Sequence, residues 1–129
     1  MDNLIRIKDK DFWRDKEVDL RGSTIVGISG LEVDSDEVFF IFSDGRKLKM
    51  YHSQDCCEEV ALEEIHGDVE WLIGSPLTEF DERISGADTS SGTETWTFYQ
   101  ISTVKGAVTL KWHGESNGYY SESVDFKWI

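Results

Sequence analysis

Residues 94–126, ETWTFYQISTVKGAVTLKWHGESNGYYSESVDF, constrain the fold more than any other stretch of this chain. Three runs rich in aromatic, β-branched and Thr residues are separated by two turn signals, Lys105-Gly106 and Ser116-Asn117-Gly118. That pattern predicts a three-stranded antiparallel meander. Side chains alternate across a strand, so positions of one parity share a face. Trp96 and Phe98, then Val108, Leu110 and Trp112, then Tyr120, Val124 and Phe126 read as one apolar face. The opposite face then carries Thr97, Tyr99, Thr109, Lys111, His113, Tyr119, Ser121 and Ser123, rich in hydroxyls and polar-tipped rings.

Other strand signals surround this meander. Glu37 to Ser43 (EVFFIFS) and Arg46 to His52 (RKLKMYH) flank Asp44-Gly45, the strongest hairpin turn of the chain. The first strand is dense enough in Val, Phe and Ile to be buried on both faces. In the second, Leu48 and Met50 face in while Lys47 and Lys49 face out. Further strands are expected at 24–29, 58–65 and 77–84, with a helical turn at 67–73 and a Gly/Ser-rich mobile loop at 85–94. Residues 1–22 read as an N-terminal arm, with a short strand at Leu4–Ile7 and a turn of helix over Asp9–Lys16. Residues 23–129 read as a single antiparallel β domain. The fold class is mainly β, α+β at most: a barrel-like or sandwich domain of about seven strands with one short helix.

Charge narrows the partners. The net charge is −13, and all of the imbalance lies in residues 23–94, where 17 acids face four bases. Phosphate binding needs clustered Lys and Arg, so direct nucleic-acid binding is excluded as an expectation, and an anionic membrane equally so. A basic protein surface or a metal matches better. No apolar run is long enough to span a bilayer, and the N-terminus has no signal-peptide core. A cytoplasmic location follows as the expectation. Cys56 and Cys57 are adjacent, closer than ordinary bridge geometry prefers, so free thiols are expected.

Several motifs look familiar. GSTIVGISGLE, FIFSDGRKLKMYHSQDCCEEV, GDVEWLIGSP and the long run from Thr95 to Phe126 resemble a family of small uncharacterised proteins carried by bacteriophages and prophages. The resemblance covers roughly residues 21–126. It implies a phage origin and action in the host bacterial cytoplasm, and it supplies no catalytic residue.

Three sets of side chains are candidate sites. The first combines the outer meander face with its last turn: Tyr99, Lys111, His113, Ser116, Asn117, Tyr119, Tyr120 and Ser121. Two glycines free backbone N–H groups there, and the rings offer stacking, a set suited to a small nucleotide-like ligand. The plainer reading is a hairpin turn with cross-strand tyrosines. The second is the acidic set Glu58, Glu59, Glu63, Glu64, Asp68 and Glu70, which could imitate a phosphate row, although such runs are usually only solvated. The third is His52, Asp55, Cys56 and Cys57, a weak metal candidate whose spacing fits no standard zinc pattern. No Ser-His-Asp order, phosphate-cradling loop or HExxH motif is present.

These features favour a non-enzymatic binding protein without a cofactor, blocking a bacterial host factor or sequestering a small nucleotide-like ligand, with counter-defence as the expected use. The alternatives are an acidic nucleic-acid mimic that fills a basic groove of a host protein, and a metal-dependent enzyme built on the His52–Cys57 cluster. Open strand edges also allow a homo-oligomer.

Overall fold

The Asp44-Gly45 turn joins β4 (Glu37–Phe42) to β5 (Lys47–Tyr51), and Val38, Phe40, Leu48 and Met50 are fully buried between them. Lys47 is exposed and Lys49 half-buried on the opposite face. Phe39 and Ile41 are half-buried, so one face of β4, not both, meets the core. In the computed structural model, residues 3–9 and 15–129 are described. Among them are eight further strands: β1 (Leu4–Lys8), β2 (Asp15–Asp19), β3 (Ile25–Ser29), β6 (Glu59–His66), β7 (Glu79–Thr89), β8 (Gly92–Thr103), β9 (Gly106–Ser116) and β10 (Asp125–Trp128). The strands thus outnumber the seven or so expected.

The fold is mainly β, with two sheets. One has six strands in the order β2-β1-β10-β5-β4-β3, the other four in the order β6-β9-β8-β7. Among the described residues, the paired strands run antiparallel except β1 with β10. The sheets meet through Phe40 against Phe80 at 6.1 Å between ring centroids and Tyr99 edge-on to Phe126 at 5.3 Å. The Trp112 indole N–H donates to Met50 Sδ at 3.2 Å across the same core. Each large apolar side chain closed off in this way contributes about 1.5–3 kcal/mol. Of the two architectures expected, this is the sandwich.

A short 3-10 turn, Val69–Leu72, matches the expected helical turn, and Asp68 accepts its capping hydrogen bond from the Glu70 N–H. No helix is long and apolar enough to cross a membrane among the described residues. The helical turn expected at Asp9–Lys16 falls largely on residues 10–14, outside the described residues; Asp15 and Lys16 open β2.

Four expectations are corrected. Residues 4–8 are not an arm laid on the domain: β1 sits between β2 and β10, with Ile5 and Ile7 in the core. Residues 85–94 are not a loop, because the β7–β8 ladder runs on to Thr89 opposite Gly92. There β7 pairs only with β8, while Thr93 and Glu94 of β8 also stand opposite Ser116 and Glu115 of β9. The meander has two strands, not three. After Ser116 the chain leaves the sheet, and β10 pairs with β5 in the other one. Lastly, β8 faces the opposite way. Thr97, Tyr99, Ile101 and Thr103 are its buried residues, while Trp96 and Phe98 stand half-buried outside. The hairpin closes with Thr103 opposite Gly106, so every even residue of β8 faces an odd residue of β9. With Val108, Leu110 and Trp112 inside, Trp96 and Phe98 must be outside.

Candidate functional site

The outer face of the four-stranded sheet is set by this register. Glu94 lies opposite Glu115, and Glu115 lies opposite Glu59 on its other flank. Three carboxylates therefore stand abreast across β8, β9 and β6. The next row along is Trp96, His113 and Ala61, and the row after that brings Phe98 beside Lys111. The Trp96 and His113 rings lie against each other, centroids 5.3 Å apart and planes tilted by 43°. His113 Nε2 stands 3.3 Å from Glu94 Oε1. Lys111 Nζ reaches Glu63 at 3.6 Å and Glu64 at 3.8 Å. Asp34, Glu59, Glu63, His113 and Glu115 border a shallow dip on this face.

At the end of the sheet the chain turns underneath it. Asn117 Oδ1 accepts from the Tyr119 N–H, and Gly118 takes φ +91°, a region glycine enters without steric cost. Glu122 then lies against the inner side of Gly114 and is 7% exposed. Its carboxylate accepts from Thr95 Oγ1 at 2.8 Å and from the hydroxyls of Thr93 and Ser116. Burial pushes the Glu122 carboxyl up, but the Ser116, Thr93 and Thr95 hydroxyls and the His113 charge outweigh it and hold it below the ordinary range. These hydroxyls thus serve the protein's own carboxylate.

The first candidate set is dispersed by this arrangement. Ser116, Asn117 and Tyr120 border one open hollow of about 360 Å³, with Thr93, Glu59 and Glu115 among its other walls. His113 and Lys111 belong to the outer sheet face. Tyr119 is 83% exposed, and Ser121 shares a hydrogen bond with Ser123. Tyr99 is not on the outer face at all. It is fully buried and donates to Glu82 at 2.5 Å. Burial first, then the Glu82 charge, push its phenol well above the ordinary value.

The acidic set is also divided. Glu59 and Glu63 are exposed and Glu64 half-buried along β6, the edge strand, and Glu64 meets His66 at 2.7 Å. Asp68 caps the 3-10 turn, and Glu70 lies in its first turn. Glu58 is sequestered, 2% exposed, and receives His52 Nε2 at 2.8 Å together with the N–H groups of Asp55 and Cys56. His52 Nδ1 meets the Ser123 carbonyl at 2.7 Å. Both nitrogens of the His52 ring are therefore committed within the protein. Cys56 and Cys57 are joined to each other, so the expectation of free thiols is corrected. Asp55 is exposed. The third set is thus a folded corner, not an open ligand cage.

Among the described residues, the group whose ligand atoms do converge is Glu94, His113 and Glu115, with one atom from each within 4.8 Å of the others. Glu94 and Glu115 were missed by reading the sequence. The two-residue turn at Val104-Lys105 was the available signal, because it fixes which residues of β8 and β9 stand opposite.

The profile of a domain of unknown function, DUF7448, matches residues 17–126. The chain belongs to the DUF7448 family. No curated protein and no solved structure matches it. The DUF7448 match spans both sheets from β2 to β10, so the outer face and the Glu122 corner both lie within it.

Proposed function

We propose that this chain is a binding module without turnover, and that the outer face of β6-β9-β8-β7 docks on a basic protein surface. One observation carries the reading: Trp96 and Phe98 stand half-buried beside three glutamates abreast, in a chain of net charge −13. Aromatic side chains ringed by charge are the usual anchors of an interface, and opposite charge on the partner sets approach and register. The resemblance to phage-borne proteins would make the partner a bacterial host factor met in the host cytoplasm, and counter-defence its use. Imitation of nucleic acid is a special form of the same reading, resting on Glu59, Glu63 and Glu64 and no longer on Glu58.

The test is retention of a partner from bacterial lysate by the immobilised chain, repeated with Phe98→Ala and with Glu59→Lys combined with Glu115→Lys. A specific partner should be lost from both variants and released as salt rises to about 0.5 M. Retention that survives both variants and the salt overturns the reading. A second copy of this chain is the competing occupant, and light scattering of the purified protein reads it directly.

A smaller ligand is favoured by the hollow beside Ser116, Asn117 and Tyr120 alone. Saturation-transfer NMR with nucleotide metabolites tests it. Signal transfer that disappears in Tyr120→Ala supports it, and no transfer excludes it.

A further inference from the structure

We propose that Glu94, His113 and Glu115 bind a first-row divalent transition ion, with Zn²⁺ the best match. This goes beyond the docking reading and does not depend on it. The register supplies the first argument. Like charges directly opposite on neighbouring strands destabilise a sheet. Here Glu59, Glu115 and Glu94 form a continuous row, with His113 two residues along β9 from Glu115 on the same face. A divalent cation seated over this row turns mutual repulsion into shared attraction.

Spacing supplies the second argument. Zinc–nitrogen and zinc–oxygen bonds of about 2.0–2.2 Å place two ligand atoms of a tetrahedral ion roughly 3.3–3.5 Å apart. His113 Nε2 and Glu94 Oε1 stand 3.3 Å apart. That is long for a hydrogen bond between charged groups, which closes to about 2.7–2.9 Å. The other two His–Glu pairs of the chain show the closed distance, 2.8 Å for His52 with Glu58 and 2.7 Å for His66 with Glu64. The His113 pair alone stands at the separation of two ligands around one ion. The third ligand atom, from Glu115, lies within 4.8 Å of both.

Chemistry selects the ion. One imidazole with two carboxylates suits zinc and its first-row neighbours, whereas calcium takes six to eight oxygens. Trp96, packed at a tilt against the His113 ring, limits the orientations the imidazole can take. Glu59 borders a dip shared with His113 and Glu115 and adds negative charge beside the ion. The site is open on its outer side, since Glu115 is exposed, so water completes the coordination there.

The test is calorimetric titration of the full chain with ZnCl₂ in chelator-free, non-reducing buffer. One ion per chain is expected. His113→Ala and Glu94→Gln should each weaken binding about tenfold or more, while His66→Ala leaves it unchanged. A second measurement does not depend on those variants: Mn²⁺ added to the ¹⁵N-labelled protein should broaden amide signals around Glu94, His113 and Glu115 first. Absence of Zn²⁺ binding, equal affinity in His113→Ala and Glu94→Gln, or broadening centred on His66 overturns the proposal. Phe98→Ala separates it from docking, since that variant should lose the protein partner and keep the ion.

Discussion

Glu58 Oε2 receives His52 Nε2 at 2.8 Å, with the two side chains 0% and 3% exposed. Burial alone would push the Glu58 carboxyl up. The His52 contact and the N–H groups of Cys56 and Asp55 outweigh it and bring the carboxyl down to about 2. A carboxyl lowered on folding adds stability above its ordinary range, and that stability drains away as pH falls through the folded value. The melting temperature of the protein should therefore drop between pH 4.5 and pH 2, beyond the loss general to acidic proteins. Glu58→Gln should melt lower than the parent near pH 7 and should show a flatter profile across this acid window. Thermal melts at a series of pH values check both. Parallel profiles would mean that Glu58 contributes nothing specific.

Gly114 should tolerate no side chain. A Cβ there would meet Glu122 Cβ at 2.8 Å, the Glu122 carbonyl oxygen at 2.9 Å and Val60 Cγ2 at 3.1 Å. The carbonyl oxygen belongs to the backbone, so relief requires the 117–124 segment to move as a whole. Overpacking of this kind costs about 1–3 kcal/mol. Gly114→Ala should lower stability by that amount in urea denaturation. Gly45→Ala is not a matched control for space alone, since Gly45 takes φ +92° with nothing within 4 Å of its Cβ position. It measures the backbone cost without the collision.

Glu122 itself should hold the corner closed. Replacing it with Gln removes a charged acceptor from three hydroxyl donors, Thr93, Thr95 and Ser116. A hydrogen bond to a charged group contributes about 1.5–3 kcal/mol, and the amide recovers part of it. Glu122→Gln should cost about 1–2 kcal/mol. It should also speed amide exchange at Gly118 and Tyr119, whose N–H groups donate to Ser116 and Asn117. Unchanged exchange in that segment would show that the loop is held by Val124 and Phe126 alone.

Local signals were legible and long-range ones were not. The 37–52 hairpin was readable because the Asp44-Gly45 turn signal and the period of two in Arg46–His52 agree, whereas the continuous apolar run Val38–Phe42 hid which face of β4 meets the core. The short turn at 67–73 was readable from Asp68 and the Gly74-Ser75-Pro76 stop. In β8 both parities carry large residues, Trp96, Phe98 and Gln100 on one, Tyr99 and Ile101 on the other, so periodicity alone allowed either face. Only the register with β9 decides between them. The departure of β10 to the other sheet was hidden for a different reason. Tyr119 to Phe126 has strand-forming residues, but Glu122 finds its hydroxyl partners 29, 27 and 6 residues away in sequence. The candidate ion ligands share this difficulty, since Glu94 and Glu115 become neighbours only through the hairpin.

The two faces of β8 offer the most direct check of that register. Phe98 is half-buried on the outer side, opposite Lys111, while Tyr99 is fully buried opposite Leu110. A charge at the first position stays in contact with water, but a charge at the second would have to enter the core. Burying an unpaired charge or opening the core to hydrate it costs several kcal/mol. Phe98→Lys should therefore fold with a change in stability within about 1 kcal/mol, and Tyr99→Lys should fail to give a cooperative melt. Tyr99→Phe separates ring from hydroxyl: it keeps the contacts with Phe80 and Phe126 and gives up only the bond to the Glu82 carboxylate, at a cost of about 1.5–3 kcal/mol. If Phe98→Lys proved as damaging as Tyr99→Lys, Phe98 would be a core residue. The outward face on which both the docking surface and the ion site depend would then not exist.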